Sequence, residues 1–350
     1  MKHPSAEDHL NAQRIAFAPL LFQAARTARD CGLLTAIEEA GEEGRTALEL
    51  TAAMPLSEYA TRLVLDACES LGLVLLDDED RTRGRYRIAG AGTVFLHDER
   101  TRVSLNFTHD VCYRGAFHMD EALREGRPAG LPTLGDWDTI YEGVPELPAE
   151  IRDSWYAFDH HYSDGVFPRA VRFLQRQGVE RVLDVGCNTG RFAVLAAAKM
   201  DVTLLDHPGE MAIALANAKE AGVDARVTPN PIELLDHDVP FPTGFDAVWM
   251  SQVLDCFSKD DIVRLLSRGA AALAEGGRIY IVESYPDRQP AEAGKLALHA
   301  LSLYFACLAN GTSRMYYASD LLECAERAGL IVEDDRTLGP WHTLMVLRTK

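Results

Sequence analysis

Residues 182–190 contain one aspartate and two glycines, and a second aspartate follows them in the chain, in a pattern that suits nucleoside binding. Asp184 lies near the end of a short apolar segment that predicts a buried strand, and Gly186 and Gly190 bound the turn that follows before a helical pattern begins. Asp206 comes 20 residues after Gly186, at the end of a second apolar segment. A strand, a glycine turn, a helix and an acid at the tip of the next strand can together hold a nucleoside and its ribose hydroxyls.

Two details of this stretch discriminate between nucleoside ligands. The turn reads Gly-Cys-Asn-Thr-Gly and lacks the second glycine of the G-x-G-x-x-G fingerprint, so it would cradle a pyrophosphate poorly. The carboxylate of Asp184 would repel a phosphate but attract the ammonium or the sulfonium of S-adenosylmethionine. The pattern therefore favours S-adenosylmethionine, and an ordinary strand-to-helix turn of another α/β protein is the alternative.

Length and charge restrict the class of protein. The 350 residues suit two domains or one large one, and 47% apolar content is ample for a packed core. Because 35 basic residues face 53 acidic ones, the net charge of −18 repels nucleic acid and anionic membrane surfaces. We therefore expect a small-molecule partner, with no nucleic acid and no membrane.

The cysteines and the apolar runs point to a cytoplasmic protein. The seven cysteines are scattered and form no Cys-x-x-Cys, so neither a disulfide framework nor a zinc site is predicted, and no tight ligand cluster calls for another metal. The first eight residues contain no apolar signal core, and the richest later run, 296–309, is too short to span a bilayer.

The first 100 residues predict a winged helix. Apolar residues recur at helical spacing in 16–28 and 31–40, while Ser57 and Gly72 are a good N-cap and C-cap for a further helix. Residues 73–88 then resemble a β-hairpin with a polar tip.

The charges of this winged helix argue against DNA binding. Its candidate recognition helix carries Arg62 but also Glu58, Asp66 and Glu69, and the hairpin tip at 77–80 is entirely acidic. Such a mostly acidic surface would repel the phosphates of DNA. We expect this domain to form a homodimer and to help close a pocket.

Residues 101–178 predict a helical linker or lid that contributes to a substrate pocket. The segment is rich in aromatic residues and histidine, with a loop at 128–135. A linker packed by its own aromatics is one interpretation. A lid over an aromatic substrate is the other, since flat side chains stack and a few polar groups orient the ring.

From residue 179 to 350 strands and helices alternate, which predicts a Rossmann-like, doubly wound α/β sheet of seven strands. The last two strands are separated only by a loop and predict an antiparallel hairpin. The predicted strands are 182–185, 202–205, 225–228, 247–250, 279–283, 331–333 and 343–347.

Taken together, these residues resemble the class I S-adenosylmethionine-dependent methyltransferases, specifically the small-molecule O-methyltransferase family with an N-terminal winged-helix dimerisation domain. The resemblance covers nearly the whole chain. It rests on the winged helix, on 183–190, on Asp206-His207-Pro208 where the family has Asp-Leu-Pro, and on 273–283.

The resemblance implies which residues bind the cofactor. Asp206 would bind the ribose hydroxyls, Gly186 and Gly190 would admit the cofactor, and Asn230 replaces the family's acid beside the adenine. Tyr162 falls at the family's substrate-facing methionine position, in a segment that runs past the transferring methyl group. The complete predicted set is Asp184, Gly186, Asn188, Gly190, Asp206, Asn230, Ser251 and Tyr162.

The catalytic signature departs from the family. Where plant-type members read His-Asp-Trp, this chain reads Asp255-Cys256-Phe257, so the usual histidine base is missing. Glu283 matches one of the two acids that flank that histidine, and Ser313 stands where the other would be. Asp255 is a candidate base, although it could simply belong to the loop before a helix capped by Ser258 and Asp261.

A replacement base can be sought in the lid. His160 and His161 point about 100° apart on a helix, so one of them at most can face the pocket. The predicted catalytic set is therefore His161, His160, Asp255 and Glu283. The predicted substrate contacts are His109, Tyr113, His118, Phe158 and Arg314, the last as a partner for a substrate carboxylate or as a surface ion pair.

Loss of the family's histidine resembles the branch that methylates aromatic ring carbons, such as tyrosine or 3-hydroxykynurenine. The sequence thus predicts ring C-methylation of an aromatic amino acid in secondary metabolism, with S-adenosylhomocysteine as the second product. Phenolic O-methylation is the alternative. A non-methylating enzyme that binds the cofactor, or a regulator that senses it, is a further one.

Overall fold

The computed structural model describes residues 3–78 and 80–350. The chain forms two compact units, and their boundary falls between Asn106 and Phe107. The division at residues 100 and 178 into three parts stays a prediction. Met1, Lys2 and Glu79, the last in the predicted acidic hairpin tip, lie outside the described residues.

The first unit has the element order of a winged helix. Its sheet joins β1 (Arg45–Thr46), β3 (Arg85–Ile88) and β2 (Val74–Leu76) in that order, with both pairs antiparallel, which confirms the predicted hairpin. Its helices are α1 (Ala6–Ala16), α2 (Ala18–Asp30), α3 (Leu33–Glu39), α4 (Ala47–Thr51), α5 (Glu58–Ser70), α6 (Gly90–His97) and α7 (Glu99–Phe107), which reaches the boundary.

Local chemistry explains where α5 begins and ends. The hydroxyl of Ser57 accepts a hydrogen bond from the amide of Ala60 at 3.2 Å, and Gly72 leaves the helix with φ of +71°. The predicted N-cap is confirmed, whereas the C-cap is Leu71 and Gly72 follows it as the left-handed residue that ends the helix. The helix packs into a core that contains Leu34, Leu65 and Tyr86, all buried.

The second unit is a doubly wound sheet, as predicted. In the described part of the chain its seven strands run in the order β6-β5-β4-β7-β8-β10-β9. The first five of these are parallel, and β10 pairs antiparallel with both β8 and β9. They are β4 (Arg181–Val185), β5 (Asp201–Asp206), β6 (Val227–Pro231), β7 (Phe245–Ser251), β8 (Leu273–Glu283), β9 (Leu330–Thr337) and β10 (Thr343–Thr349).

One predicted strand is corrected. The chain turns in a 3-10 helix over Asp224–Arg226, and β6 begins only at Val227 and continues to Pro231. Pro229 and Pro231 made the strand look finished at residue 228. They are tolerated because β6 is an edge strand, where one side of the backbone needs no donor.

Alternation along the strands creates two cores, one on each face of the sheet. Val182 of β4 and Trp249 of β7 belong to one core, whereas Leu183 and Val248 belong to the other. Helices cover both faces: α11 (Phe167–Arg176), α12 (Arg191–Ala196), α13 (Pro208–Glu220), α14 (Lys259–Ala272) and α16 (Ala318–Arg327).

A third apolar cluster lies within the same unit, beside the sheet. It includes Phe107, Trp155 and Phe305, and the indole of Trp155 donates to the hydroxyl of Tyr304 at 2.9 Å. Its helices are α8 (Met119–Glu125), α9 (Ile140–Gly143), α10 (Ala149–Ser163) and α15 (Glu292–Tyr304), with π-helical turns at Thr108–Cys112 and Phe305–Ala309. The predicted aromatic segment is thus a packed helical layer.

Candidate active site

The turn after β4 contains two glycines, which let the backbone come close to a ligand at the carboxyl ends of the parallel strands. Gly186 has φ of +73°, and a Cβ there would lie 2.4 Å from Cγ2 of Val253. Gly190 has φ of +75°, and a Cβ there would lie 2.8 Å from Cβ of Ala214. Only glycine fits both positions, because the backbone is left-handed and the space is already filled.

Asp206 is fixed at the end of β5 by backbone donors. Its carboxylate accepts from the amide of Asn188 at 2.7 Å and from the amide of His207 at 2.7 Å. Burial raises the pKa of Asp206 in spite of these bonds. The carboxylate is rigidly placed beside the glycine turn, as a ribose-binding acid requires.

Asp184 is the buried acid of β4. It is 3% exposed, and its Oδ2 has no hydrogen-bond partner among the described residues. Burial, followed by the nearby charge of Asp206, raises its pKa well above the ordinary value. A buried carboxylate without a partner is costly unless a cation or a donor from a ligand reaches it. The structure thus offers a place for a positive group at this point.

Helix α10 contributes three polar residues near the site, of which Asp159 and His160 line the cavity. The hydroxyl of Tyr156 donates to Glu210 at 2.9 Å, Asp159 accepts from the side-chain amide of Asn188 at 3.1 Å, and Nε2 of His160 lies 3.0 Å from Oγ1 of Thr189. The three lie on one side of the helix because positions three and four apart share a face.

Burial dominates the electrostatics of these groups. It raises the pKa of Asp159 to about 7, with help from Asp255 and Glu210, and raises the pKa of Glu210 to about 7 as well. Burial also lowers the pKa of His160 to about 4, so its imidazole is neutral at neutral pH. A bound cation would shift both carboxyl groups towards their ionised form.

Asp255 sits in a 3-10 turn, Leu254–Cys256, that Glu283 holds in place. One oxygen of Glu283 accepts from the amides of Val253 at 3.1 Å and Leu254 at 3.0 Å. Asp255 is 8% exposed, and burial raises its pKa to about 6. Ser258 caps α14 through the amide of Asp261, as predicted, but the carboxylate of Asp255 takes no part in that cap.

These groups surround one cavity of about 450 Å³ within the second unit. One end, which we call the nucleoside lobe, is lined by Asp184, the turn 186–189, Asp206 and His207. The other end, which we call the acceptor lobe, is lined by members of the third apolar cluster together with nearby polar residues. Its apolar members are Phe107, Tyr141, Val144, Trp155, Phe158, Cys256, Leu298, Leu301, Phe305 and Met315.

The cavity is strongly acidic. Arg191 is the sole lysine or arginine on its wall in the described chain, and it pairs with Asp164 at 2.6 Å. The acids on the wall are Asp138, Glu142, Asp159, Asp184, Asp206, Glu210, Glu233, Asp255 and Asp261. A wall of this composition fits the sulfonium of S-adenosylmethionine and disfavours a phosphate-rich cofactor.

The structure brings most of the predicted cofactor and catalytic residues to this wall. The lining includes Asp184, Gly186, Asn188, Asp206, Ser251, Tyr162, Phe158, His160 and Asp255. The hydroxyl of Ser251 is buried and has no partner among the described residues. Gly190 lies at the start of α12, and Asn230 pairs with Leu205 in the sheet. Neither residue lines the cavity.

Several predicted residues lie away from the wall. His161 is turned from it and faces Trp341 at a ring distance of 6.1 Å, in keeping with the angle between adjacent helical residues. Glu283 lies behind the turn of Asp255. His109 contacts Asp110 at 2.7 Å and lies beside the ring of Tyr113, while His118 contacts Glu121 at 3.5 Å.

Arg314 also lies away from the cavity wall. Its guanidinium stands over the ring of Tyr317 at 5.5 Å, and the residue is exposed. Of the two roles considered for it, a surface contact agrees with this position.

Sequence reasoning missed Asp159, Thr189 and Glu210. The signal for Asp159 was present, because it precedes His160 and falls three residues after Tyr156 on the same helical face. Glu210 follows Asp206 by four residues, but nothing in the sequence shows that Tyr156 reaches it from another helix.

The chain is similar to methyltransferases in sequence and in fold. It is 26% identical over 322 residues to the L-tyrosine C(3)-methyltransferase of Streptomyces lavendulae, covering 90% of this chain and 85% of that protein. The structure of the S-adenosylmethionine-dependent methyltransferase SibL in its apo form matches with a TM-score of 0.71 and 24% identity, covering 96% and 98% of the two chains.

A second solved structure is similar in fold. It is the O-methyltransferase NcsB1 from neocarzinostatin biosynthesis, in complex with S-adenosylmethionine and 2-hydroxy-5-methyl naphthoic acid. The TM-score is 0.69 at 21% identity, covering 95% of this chain and 96% of that one.

Family models match both units. Residues 9–82 match the Dimerisation2-like domain, and residues 182–277 match the methyltransferase domain. The methyltransferase domain, together with the similarity to methyltransferases over most of the chain, identifies an S-adenosylmethionine-dependent methyltransferase.

Proposed function

We propose that this enzyme methylates a ring carbon of a small phenolic substrate, an aromatic amino acid of the tyrosine or 3-hydroxykynurenine type, in secondary metabolism. The observation that carries the proposal is the acceptor lobe: aromatic and aliphatic walls meet a single buried acid, Asp255, at the position where plant-type members of the family that the chain resembles have histidine. The likeness to a tyrosine C(3)-methyltransferase supports the same choice.

Residues of the nucleoside lobe would hold the cofactor. Asp206 would accept hydrogen bonds from the ribose hydroxyls, and Asp184 and the turn at 186–189 would lie against the ammonium or the sulfonium of the methionine part. Ser251 offers a further hydroxyl without a partner among the described residues. Bound S-adenosylmethionine supplies an electrophilic methyl group and leaves as S-adenosylhomocysteine.

The acceptor lobe would orient the ring and manage its protons. The walls from Phe107, Phe158 and Phe305 exclude water and hold the ring against the nucleoside lobe. Asp255 would accept the phenolic proton, because a carboxyl with a pKa of about 6 is mostly ionised at pH 7 and still basic enough to act. The phenolate would then direct its electron density to the ortho carbon. Asp255 would return the phenolic proton to the oxygen and take the proton from the methylated carbon, which is the one released overall.

The test is the position of the new methyl group. The enzyme is incubated with cofactor carrying a ¹³C-labelled methyl and with a panel of phenolic amino acids, and the products are read by NMR. An aryl methyl signal is expected. An aryl methyl ether as the sole product would establish phenolic O-methylation, the alternative that the fold of NcsB1 keeps open.

We also propose that the enzyme is a homodimer formed through its first unit. The match to a Dimerisation2-like domain supports this, and so does the apolar surface that α1 and α2 leave exposed within the chain, including Ile15 at 77% and Leu20 at 69%. Sedimentation at micromolar concentration should give the mass of two chains, and the mass of one would refute the proposal.

Among the described residues, no helix combines the length and the apolar character needed to cross a membrane.

A further inference from the structure

The charged side chains that line the acceptor lobe are all acidic in the described part of the chain. Asp255 is the buried acid of this wall, and Asp138 and Glu142, which lie close to Tyr141 in the chain, are exposed acids that also line the cavity. The neutral polar groups in this lobe include Asn310 and Thr312. Between residues 107 and 350, no lysine, arginine or histidine lines this part of the cavity.

The basic groups of the wall are all at the other end. Arg191 is paired with Asp164, His160 bonds to Thr189, and His207 follows Asp206 directly. Arg314, the residue considered for a substrate carboxylate, is exposed and stands over Tyr317 outside the wall. A carboxylate carried into the acceptor lobe would therefore meet three acids and no cation.

This distribution favours one charge pattern on the substrate. A carboxylate moved from water into the lobe would lose hydration and gain repulsion, whereas an ammonium would gain attraction from Asp138 and Glu142. If the phenol reaches the buried Asp255, the exposed acids Asp138 and Glu142 are the acidic groups of this lobe that remain for the amino-acid end of the substrate.

We infer that the acceptor enters with its amino group free and its carboxyl group blocked, as a neutral amide, ester or thioester of an aromatic amino acid. The inference rests on the proposed function and narrows its substrate class. Such a group is found both on small amides or esters and on aminoacyl thioesters, and the two sources share the chemistry that the lobe would recognise.

The experiment compares acceptors that differ only in these charges. Initial rates of methyl transfer are measured with L-tyrosine, L-tyrosinamide, tyrosyl-S-pantetheine, tyramine and 3-(4-hydroxyphenyl)propionate. The blocked forms and tyramine should exceed tyrosine in kcat/KM by at least about tenfold, and the propionate should be the poorest acceptor. A preference between the amide and the pantetheine thioester identifies the source.

A charge reversal tests the same point inside the protein. Glu142→Lys should raise the kcat/KM for tyrosine relative to tyrosinamide by about three- to tenfold. Asp136→Lys, at an exposed acid in the loop before α9 that does not line the cavity, should leave that ratio unchanged. Binding of S-adenosylhomocysteine and the melting temperature show that both variants are folded.

The outcomes separate this inference from the proposed function. Tyrosine used as well as or better than its amide, with an aryl methyl product, would overturn the inference and leave ring methylation standing. Failure of every blocked and free phenol to accept a methyl group, from enzyme that binds the cofactor, would overturn both.

Discussion

The two lobes of the cavity are built in different ways. The nucleoside lobe comes mainly from one βαβ unit, where the backbone itself fixes the key acid: Asp206 accepts from the amides of Asn188 and His207. The acceptor lobe is assembled from segments nearly 200 residues apart, from Phe107 to Phe305, and its one buried acid is held indirectly through Glu283. The first lobe is therefore specified by residues close together in the chain, whereas the second depends on long-range packing.

The substitution with the largest expected effect tests whether the acceptor lobe acts in catalysis and not in cofactor binding. Asp255→Asn should lower kcat by about 10²- to 10⁴-fold, because the amide cannot take the phenolic proton, while the dissociation constant of S-adenosylmethionine changes little. Steady-state kinetics and calorimetric titration give the two numbers. Asp255→Glu, which keeps the acid, should recover part of the rate, and an unchanged kcat in Asp255→Asn would assign the base elsewhere.

The complementary change belongs to the nucleoside lobe. Asp206→Asn should weaken binding of S-adenosylmethionine and S-adenosylhomocysteine by about 10- to 100-fold, because charged hydrogen bonds to hydroxyls are lost. The control is Asp201→Asn, an exposed acid at the start of the same strand. Equal affinities in the wild type and Asp206→Asn would mean that this carboxylate does not hold the ribose.

The pH dependence of binding tests the acidity of the wall. Burial raises the pKa of Asp159 and of Glu210 to about 7, so both are largely neutral at pH 6 and ionised at pH 8. A sulfonium favours the ionised form, and affinity for S-adenosylmethionine should rise about tenfold from pH 6 to pH 8.

S-Adenosylhomocysteine is the matched ligand for this test, because it has the same nucleoside but a neutral thioether. Its affinity should change less over the same range, and Glu210→Gln should flatten the profile for S-adenosylmethionine. Identical pH profiles for the two ligands would show that the wall does not sense the sulfonium charge.

The same shifts affect stability. Since the folded-state pKa values of Asp159 and Glu210 lie above those of the unfolded chain, their contribution to stability is present at low pH and is lost as pH rises through about 7. Because S-adenosylmethionine is expected to bind more tightly at pH 8, the increase in melting temperature on adding it should be larger at pH 8 than at pH 6. Differential scanning calorimetry can measure both increases.

The smallest expected effect concerns the adjacent histidines. His160→Ala should lower kcat/KM by about three- to tenfold, because the imidazole lines the cavity and bonds to Thr189. His161→Ala should have a weaker effect, since that ring faces Trp341. A larger loss of turnover in His161→Ala than in His160→Ala would restore the first candidate of the sequence analysis.

Much of the fold could be predicted, because the signals are local. The N-cap Ser57, the helix-ending Gly72, the strand periodicity of β4 and the glycine turn each lie within a few residues. The end of β6 was misplaced because its prolines look like strand breakers until the strand is known to be at the edge. The site was predictable to the same extent: the acids of β4 and β5 are marked by their position, whereas Glu210 depends on a hydroxyl from another helix.

The sequence by itself determined the family, the donor and the approximate location of its site, because a βαβ unit encodes its ligand in residues that remain neighbours in the chain. Only the tertiary structure decided which histidine faces the cavity, that Arg314 does not, and that the described residues of the acceptor lobe include acidic side chains but no lysine, arginine or histidine. Those features depend on how distant helices pack and which way each side chain turns. Sequence periodicity predicts which face of a helix a residue lies on, but only tertiary packing determines what that face contacts.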